Sequence, residues 1–217
     1  MSNLRTISDF KGTLKGGGAR PNLFEVSIPN FPAAAKTGPG AGWTNDDQLE
    51  FRFMCKAANM PASNVASIDV PFRGRIFKVA GDRTIDNWTV TIINDEDFSL
   101  RNRFEAWMNG IARLRNNTGA TNPEAYMTNA QVMQLGRGAD KGRFSKTHSN
   151  AAGGAAVKPL KSYTFEDIFP VNVSAIDLSY DSSDTIEEFT VDFAVNNWYS
   201  GAGGAAGVAD QTGVAMN

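Results

Sequence analysis

The 217-residue chain has little of what disulfides, metal sites and membrane spans require. It holds one cysteine, Cys55, and one histidine, His148, so it can form no disulfide within itself and cannot build a zinc site of the common types. No stretch approaches the roughly 18 apolar residues of a membrane helix. Residues 1–20 also lack the apolar centre of a signal peptide. We therefore expect a soluble protein of a reducing cytoplasm that uses no metal and no cofactor.

The chain also lacks a strong excess of charge of either sign. Its formal net charge is −2, which is not typical of a protein that binds nucleic acid or an anionic membrane with its whole surface. The charge is unevenly distributed, because residues 1–150 carry a net +5 and residues 151–217 a net −7. Either the strand turns happen to be acidic, or a surface of one sign exists that repels a polyanion.

Residue patterns that indicate catalysis are missing as well. The sequence contains no Gly-x-Ser-x-Gly elbow and no phosphate-binding loop of the Walker type. Two carboxylate clusters, at residues 95–97 and 181–184, are explained by a helix N-terminus and a turn between strands. The sequence therefore predicts a protein that is not an enzyme.

What the chain does contain is a series of segments that alternate apolar and polar residues. This period of two, with β-branched and aromatic side chains, is typical of half-buried strands. The alternating sets are Phe24, Val26, Ile28; Phe51, Phe53, Cys55; Ile68, Val70, Phe72; Trp88, Val90, Ile92; Tyr163, Phe165; Val171, Val173; Ile176, Leu178, Tyr180; and Phe189, Val191, Phe193, Val195. The pattern predicts a mainly β protein.

One segment has the period of a helix instead. Its apolar residues are spaced 4, 3, 4 and 3 apart, which places them on one helix face. They are Leu100, Phe104, Trp107, Ile111 and Leu114. Asn94 is a plausible N-cap for this helix, and Arg113 and Arg115 would close its last turn. We expect an antiparallel β-barrel or sandwich with this one amphipathic helix beside it and extended loops.

Glycine-rich and polar stretches divide the chain. They predict an N-terminal arm over residues 1–19, a single β-barrel domain over 20–199, and a flexible Gly/Ala-rich tail over 200–217. Within the domain, two loose insertions are expected near residues 32–48 and 138–158. A loop as long as 138–158 is uncommon inside a compact domain, so this insertion is expected either to become ordered only against another subunit or to be functional.

Several segments and residues of the chain form one collinear pattern. The segments are ARPNLFEV at 19–26, FMCKA at 53–57 followed by Pro61, VAGDRT at 79–84, WTVT at 88–91 and NDE at 94–96. Further along come Phe104, Trp107, Tyr126, Ala130, Val132, Gln134, Arg137, PVNV at 170–173, Phe189 and Trp198. This pattern resembles the tail tube protein family of contractile-tailed bacteriophages, which is related to the tube protein of type VI secretion. The resemblance covers about 19–31, 50–137 and 160–199. The N-terminus, the two insertions and the tail depart from the family pattern.

The resemblance implies a structural subunit that forms stacked hexameric rings. The rings would build a hollow tube inside a contractile sheath, hold the tape-measure protein, and let double-stranded DNA pass without specific binding. It also implies contacts with baseplate and tail-terminator proteins, and a location in the virion tail after assembly in the host cytoplasm.

The residues themselves suggest where such rings would touch. A charged, glycine-containing hairpin around residues 73–83 lies between two good strands, and we expect it to project and make ring-to-ring contacts together with the 1–19 arm. The candidate contact residues are Arg73, Arg75, Lys78, Asp82 and Arg83. We also expect acidic side chains to dominate the lumen, since each phosphate contact with Lys or Arg adds affinity for DNA.

Three alternatives remain at this stage. A baseplate or tail-terminator protein could share the tube fold. A β-sandwich binding module would need exposed aromatic residues on a loop, for which Trp43 is the one candidate, although a packing role suits it better. An enzyme on an all-β scaffold is the third, and self-assembly without any ligand would separate the tube subunit from the last two.

Overall fold

The computed structural model describes residues 7–14, 18–36, 43–136 and 159–202. The predicted insertion at 138–158 lies outside the described residues, as do most of the tail and part of the N-terminal arm. The division into arm, single domain and tail stays a prediction.

The described residues form three α-helices and nine strands. The helices are α1 (Ile7–Thr13), α2 (Asn45–Met54) and α3 (Ser99–Ile111), with short 3-10 turns at Ala33–Lys36 and Pro123–Ala125. The strands are β1 (Phe24–Ser27), β2 (Cys55–Ala58), β3 (Asn64–Phe72), β4 (Arg75–Thr84), β5 (Trp88–Ile93), β6 (Thr128–Gln134), β7 (Lys161–Val173), β8 (Glu188–Ala194) and β9 (Asn197–Ala202). The prediction of a mainly β protein is confirmed, and two further helices accompany the expected one.

Seven strands form one sheet and the other two form a separate hairpin. The sheet has the order β1-β6-β7-β8-β5-β2, and β9 pairs with β7. Neighbours β7/β8, β8/β5 and β5/β2 run antiparallel. The order has β1 at one end and β2 at the other, so the described strands do not close into a barrel. Strands β3 and β4 pair only with each other.

The chain divides into two compact units. The larger comprises Val26–Val132 and Tyr163–Tyr199. Its core forms where α3 presents Leu100, Phe104 and Trp107 to the sheet, all of them buried. The predicted apolar face of this helix is therefore confirmed over these three positions.

Aromatic rings fill the space between α3 and the sheet. The ring of Phe104 lies 6.0 Å from Phe193 and 5.9 Å from Phe51, and Trp107 lies 4.7 Å from Phe31. The indole N–H of Trp107 donates to the carbonyl of Tyr126 at 2.8 Å, so its one polar atom is satisfied inside the core.

The ends of α3 differ from the prediction. Asn94 is not the N-cap, because the helix begins at Ser99 after Phe98, and the Ser99 amide donates to a carboxylate oxygen of Asp95. The helix ends at Ile111, so Arg113 and Arg115 lie beyond its last turn and Leu114 is exposed.

The alternation of Phe51, Phe53 and Cys55 predicted a strand, and that prediction is wrong for the first two. Residues Asn45–Met54 are helical, because Thr44 and Asp47 form a reciprocal capping box that fixes the helix start. Side chains that lie two residues apart on a helix point in different directions. Phe51 is accordingly buried and Phe53 exposed.

One other expectation is corrected. Residues near 32–48 are not featureless, since they include a 3-10 turn and the start of α2. The packing role that the sequence favours for Trp43 is confirmed: its ring stacks 4.1 Å from Phe31, and its indole N–H donates to the Ile28 carbonyl.

The smaller unit comprises Met1–Glu25, Met133–Ser162 and Ser200–Asn217. In its described part the amide of Gln134 donates to the carbonyls of Arg20 at 2.7 Å and Leu23 at 2.6 Å. The Leu135 N–H also donates to Leu23, which ties β6 to the start of β1. The helix α1 of this unit has no buried residue.

Candidate assembly interface

The hairpin of β3 and β4 is the element that the core does not use. From residue 64 to residue 84 no side chain is buried, although the strands carry many apolar residues. An isolated two-stranded hairpin is at best marginally stable in water. The hairpin is therefore a large apolar element that the chain leaves uncovered.

Local sequence explains why these residues form a tight hairpin. Arg73 and Gly74 connect the strands with φ angles of 47° and 83°, and two consecutive positive φ angles are what a type I′ turn requires. Gly74 adopts this conformation without strain because it has no Cβ. At the base, the Asn64 amide donates to a carboxylate oxygen of Asp86 at 2.6 Å.

The register separates the hairpin into an apolar face and a polar face. Residues directly opposite each other in an antiparallel pair project to the same side. The pairs Phe72–Arg75, Val70–Phe77 and Ile68–Val79 therefore share one side. We define the apolar face as Ile68, Val70, Phe72, Phe77 and Val79. The opposite side carries Pro71–Ile76, Asp69–Lys78 and Ser67–Ala80.

The apolar face is continuous and exposed. Phe77 and Phe72 are 67% and 65% exposed, and the three aliphatic members are also exposed. Gly81 lets the two strands approach closely near the base, since a Cβ there would lie 3.1 Å from both the Ala66 carbonyl and the Ile68 side chain. Contiguous exposed apolar patches of this kind mark interaction surfaces in folded proteins.

The remaining titratable groups of the described chain form no metal-binding cluster. No group of three or more His, Cys, Asp or Glu residues in the described ranges could hold a metal ion. Burial raises the pKa of Cys55 to about 12, which keeps the thiol protonated and unreactive at neutral pH. No helix among the described residues is long and apolar enough to cross a membrane.

One cleft of about 520 Å³ lies in the larger unit, between residues 29–30, 123–129 and Asp167. Its acidic side chains are Glu124 and Asp167, and the remaining lining residues are proline, asparagine, threonine and methionine. The lining supplies neither a nucleophile with an adjacent base nor a cluster of donors for a phosphate.

Comparison with known proteins agrees with this geometry. The sequence model of the phage tail tube protein family matches residues 19–200. Tail tube protein gp19 of Enterobacteria phage T4 is 33% identical over 183 residues, which is 84% of this chain and 92% of the relative. The chain belongs to the phage tail tube protein family. It is a structural subunit of a phage tail tube and a component of the virion tail.

More distant relatives and structures agree in fold. The tail tube protein of Serratia phage KSP90 is 24% identical over 193 residues, covering 87% of this chain and 93% of the relative. A chain of the structure of the anti-feeding prophage tube-terminating cap superposes with a TM-score of 0.53 at 13% identity, over 85% of this chain and 91% of the other. A chain of the anti-feeding prophage baseplate gives 0.52 at 12% identity, over 85% and 96%. The fold of this chain is therefore also present in chains of these cap and baseplate structures.

The structure of the tail tube subunit does not bring the five predicted contact residues together. Arg73 and Arg75 lie at the tip beside Phe72, and the Arg73 guanidinium carbon is 5.4 Å from the centre of the Phe72 ring. Lys78 lies on the polar face, where its ammonium is 3.2 Å from a carboxylate oxygen of Asp69.

The other two predicted residues lie at the base of the hairpin. Arg83 is opposite Val65, and Asp82 lies next to it where the register shifts. Their contact role stays a prediction. The charged residues drew attention to this hairpin but did not indicate its apolar face. The signal was present in the sequence, because Ile68, Val70 and Phe72 alternate before the turn and Phe77 and Val79 after it.

Proposed function

We propose that the hairpin is the surface through which one tail tube subunit joins another copy of itself. The observation that carries this proposal is a 21-residue hairpin with five exposed apolar side chains on one face and no buried residue. Burial of apolar surface is worth roughly 25 cal/mol per Å². A second subunit that covers this face supplies what the single chain lacks.

Family membership supports the further organisation of the tube. We infer that the subunits form hexameric rings, that the rings stack, and that the tube lies within a contractile sheath. The same inference places the tape-measure protein and then double-stranded DNA in the lumen, with baseplate and tail-terminator proteins at the ends. Acidic lumen side chains would let DNA pass without retention.

We infer that the subunit has no catalytic activity. The cleft described above lacks a nucleophile with an adjacent base, and the buried thiol of Cys55 stays protonated at neutral pH. A cap or baseplate role is less well supported than the tube role, because the likeness to those structures concerns the fold, whereas the relatives with 33% identity are tail tube proteins.

Electron microscopy of the purified full chain at several concentrations tests the proposal. The wild-type protein should form rings or hollow tubes without any ligand. Phe77→Asp should abolish them, because it places a charge in the centre of the apolar face. Ile76→Asp is the matched control: Ile76 is 65% exposed, nearly the same as Phe77, but projects to the opposite face.

The control should assemble markedly better than the Phe77 variant, while both should keep the wild-type melting temperature. A wild-type chain that remains monomeric at every concentration, or a Phe77→Asp variant that forms normal tubes, would contradict the proposal.

A further inference from the structure

A second uncovered surface lies between β7 and β8, and we define the acidic segment as residues 174–187. It contains no helix and no strand. Its charged residues are Asp177, Asp181, Asp184 and Glu187, with no lysine or arginine. Leu178 and Ile186 are 80% and 72% exposed, and Tyr180 is fully exposed. Exposed apolar and acidic side chains are thus combined in one segment.

The acidic segment is anchored at both ends. Ser174 donates its backbone N–H to the Thr190 carbonyl at 2.8 Å, and its own carbonyl accepts from the Arg101 guanidinium at 3.2 Å. At the other end, the Glu187 carbonyl accepts from the Asn94 N–H at 2.9 Å. The exposed residues between these anchors are therefore presented from fixed points on the core.

The sequence of the segment is typical of a strand that is covered on one side. Ile176, Leu178 and Tyr180 alternate with polar residues, and this pattern predicted a strand that the single chain does not form. An alternation of apolar and polar residues indicates that one side of the segment is buried. It does not indicate which surface covers that side. In the described chain Leu178 and Tyr180 have no cover.

The hairpin and the acidic segment complement each other in charge and in polarity. The hairpin tip presents Arg73 and Arg75 next to the apolar face, whereas the acidic segment presents carboxylates next to Leu178 and Tyr180. Both surfaces belong to the larger unit and both are exposed there, so neither covers the other within one chain.

We propose that the apolar face of the hairpin of one subunit packs on the acidic segment of a second copy, with Arg73 and Arg75 meeting the carboxylates of Asp181 and Asp184. This inference rests on the proposed function and specifies the receiving surface. A contact between two different patches is heterologous, so each bound pair of subunits still offers one free patch of each kind, and assembly continues into rings or filaments. A hairpin that paired with another hairpin would stop at a dimer.

Disulfide trapping tests the contact directly. A mixture of Phe77→Cys and Tyr180→Cys full chains, oxidised under assembly conditions, should give several-fold more cross-linked dimer than a mixture of Ile76→Cys and Tyr180→Cys. The native Cys55 does not compete, because it is buried and its pKa is raised to about 12. Equal cross-linking in the two mixtures overturns the inference.

Charge exchange provides an independent test. Arg73→Glu with Arg75→Glu should reduce tube formation, as should Asp181→Arg with Asp184→Arg, and the four changes combined in one chain should restore part of the loss. If the hairpin variant Phe77→Asp blocks assembly while the aspartate variant assembles like wild type, this inference is wrong and the proposed function stands. If Phe77→Asp assembles normally, the proposed function itself is wrong.

Discussion

Phe104 and Phe77 are the same side chain in opposite surroundings. Phe104 on α3 is completely buried among Phe51, Phe189 and Phe193, whereas Phe77 on the hairpin is 67% exposed. Both lie in segments with a clear apolar period. One chain therefore has apolar periodicity in two settings: in α3, where the apolar face is buried in the core, and in the hairpin, where it is exposed and where we propose that the next subunit binds.

The largest difference in stability is expected between the alanine variants of Phe104 and Phe77. Phe104→Ala leaves a cavity among aromatic side chains and should lower the free energy of unfolding by about 3–5 kcal/mol. Phe77→Ala removes an exposed ring and should change it by less than about 0.5 kcal/mol, while it weakens assembly. Denaturant unfolding of the unassembled chain measures the first quantity and electron microscopy the second. A Phe77→Ala variant as destabilised as Phe104→Ala would remove the distinction between the two regions.

This comparison also explains how far the sequence could predict the structure. The period of α3 identified Leu100, Phe104 and Trp107 correctly, because a helix that covers a sheet must bury one face. The same reasoning failed at Phe51 and Phe53, where the capping box of Thr44 imposes a helix on an alternating sequence.

Periodicity could not identify the proposed assembly surface for a different physical reason. Alternation at Val70 and Phe77 shows that one face of the hairpin is apolar, but it is the same whether that face is covered by the chain itself or by another subunit. The acidic segment shows the converse, since the described residues form no strand where one was predicted at Leu178 and Tyr180. Only the structure shows which apolar faces are left uncovered.

A smaller difference in stability is expected between alanine substitutions at two helical glycines. A Cβ on Gly110 of α3 would lie 2.1 Å from the carbonyl oxygen of Ala34, whereas a Cβ on Gly12 of α1 meets nothing within 4 Å. Gly110→Ala should therefore force the helix and the 3-10 turn apart and cost about 1–3 kcal/mol. Gly12→Ala should be neutral or slightly stabilising, because alanine favours helices. Thermal unfolding of the two variants checks this, and a neutral Gly110→Ala would show that the turn at Ala33–Lys36 is free to move.

The smallest effect concerns two aspartates that have a cation at almost the same distance. A carboxylate oxygen of the buried Asp47 lies 3.1 Å from a guanidinium nitrogen of Arg103. A carboxylate oxygen of Asp69, on the exposed hairpin, lies 3.2 Å from the Lys78 ammonium. Burial acts to raise the pKa of Asp47, but the hydrogen bonds from Thr44 and the charge of Arg103 outweigh it and hold the pKa below its ordinary value of 3.8.

Because the pKa of Asp47 is lower in the folded chain, its ionised carboxylate stabilises the fold above pH 3.8, and this contribution is lost as the pH falls through the folded pKa.

Asp47→Asn should lower the free energy of unfolding by about 1 kcal/mol at neutral pH, since it removes one partner of the capping box. The deficit relative to wild type should shrink in acid. Asp69→Asn should change stability by less, because exposed ion pairs contribute about 0–1 kcal/mol. Unfolding curves measured from pH 7 to pH 3 distinguish the two sites. An equal loss of unfolding free energy for both variants at pH 7 would mean that the hairpin ion pair contributes as much to folding as the buried one. The hairpin would then contribute more to the stability of the subunit than its exposure indicates.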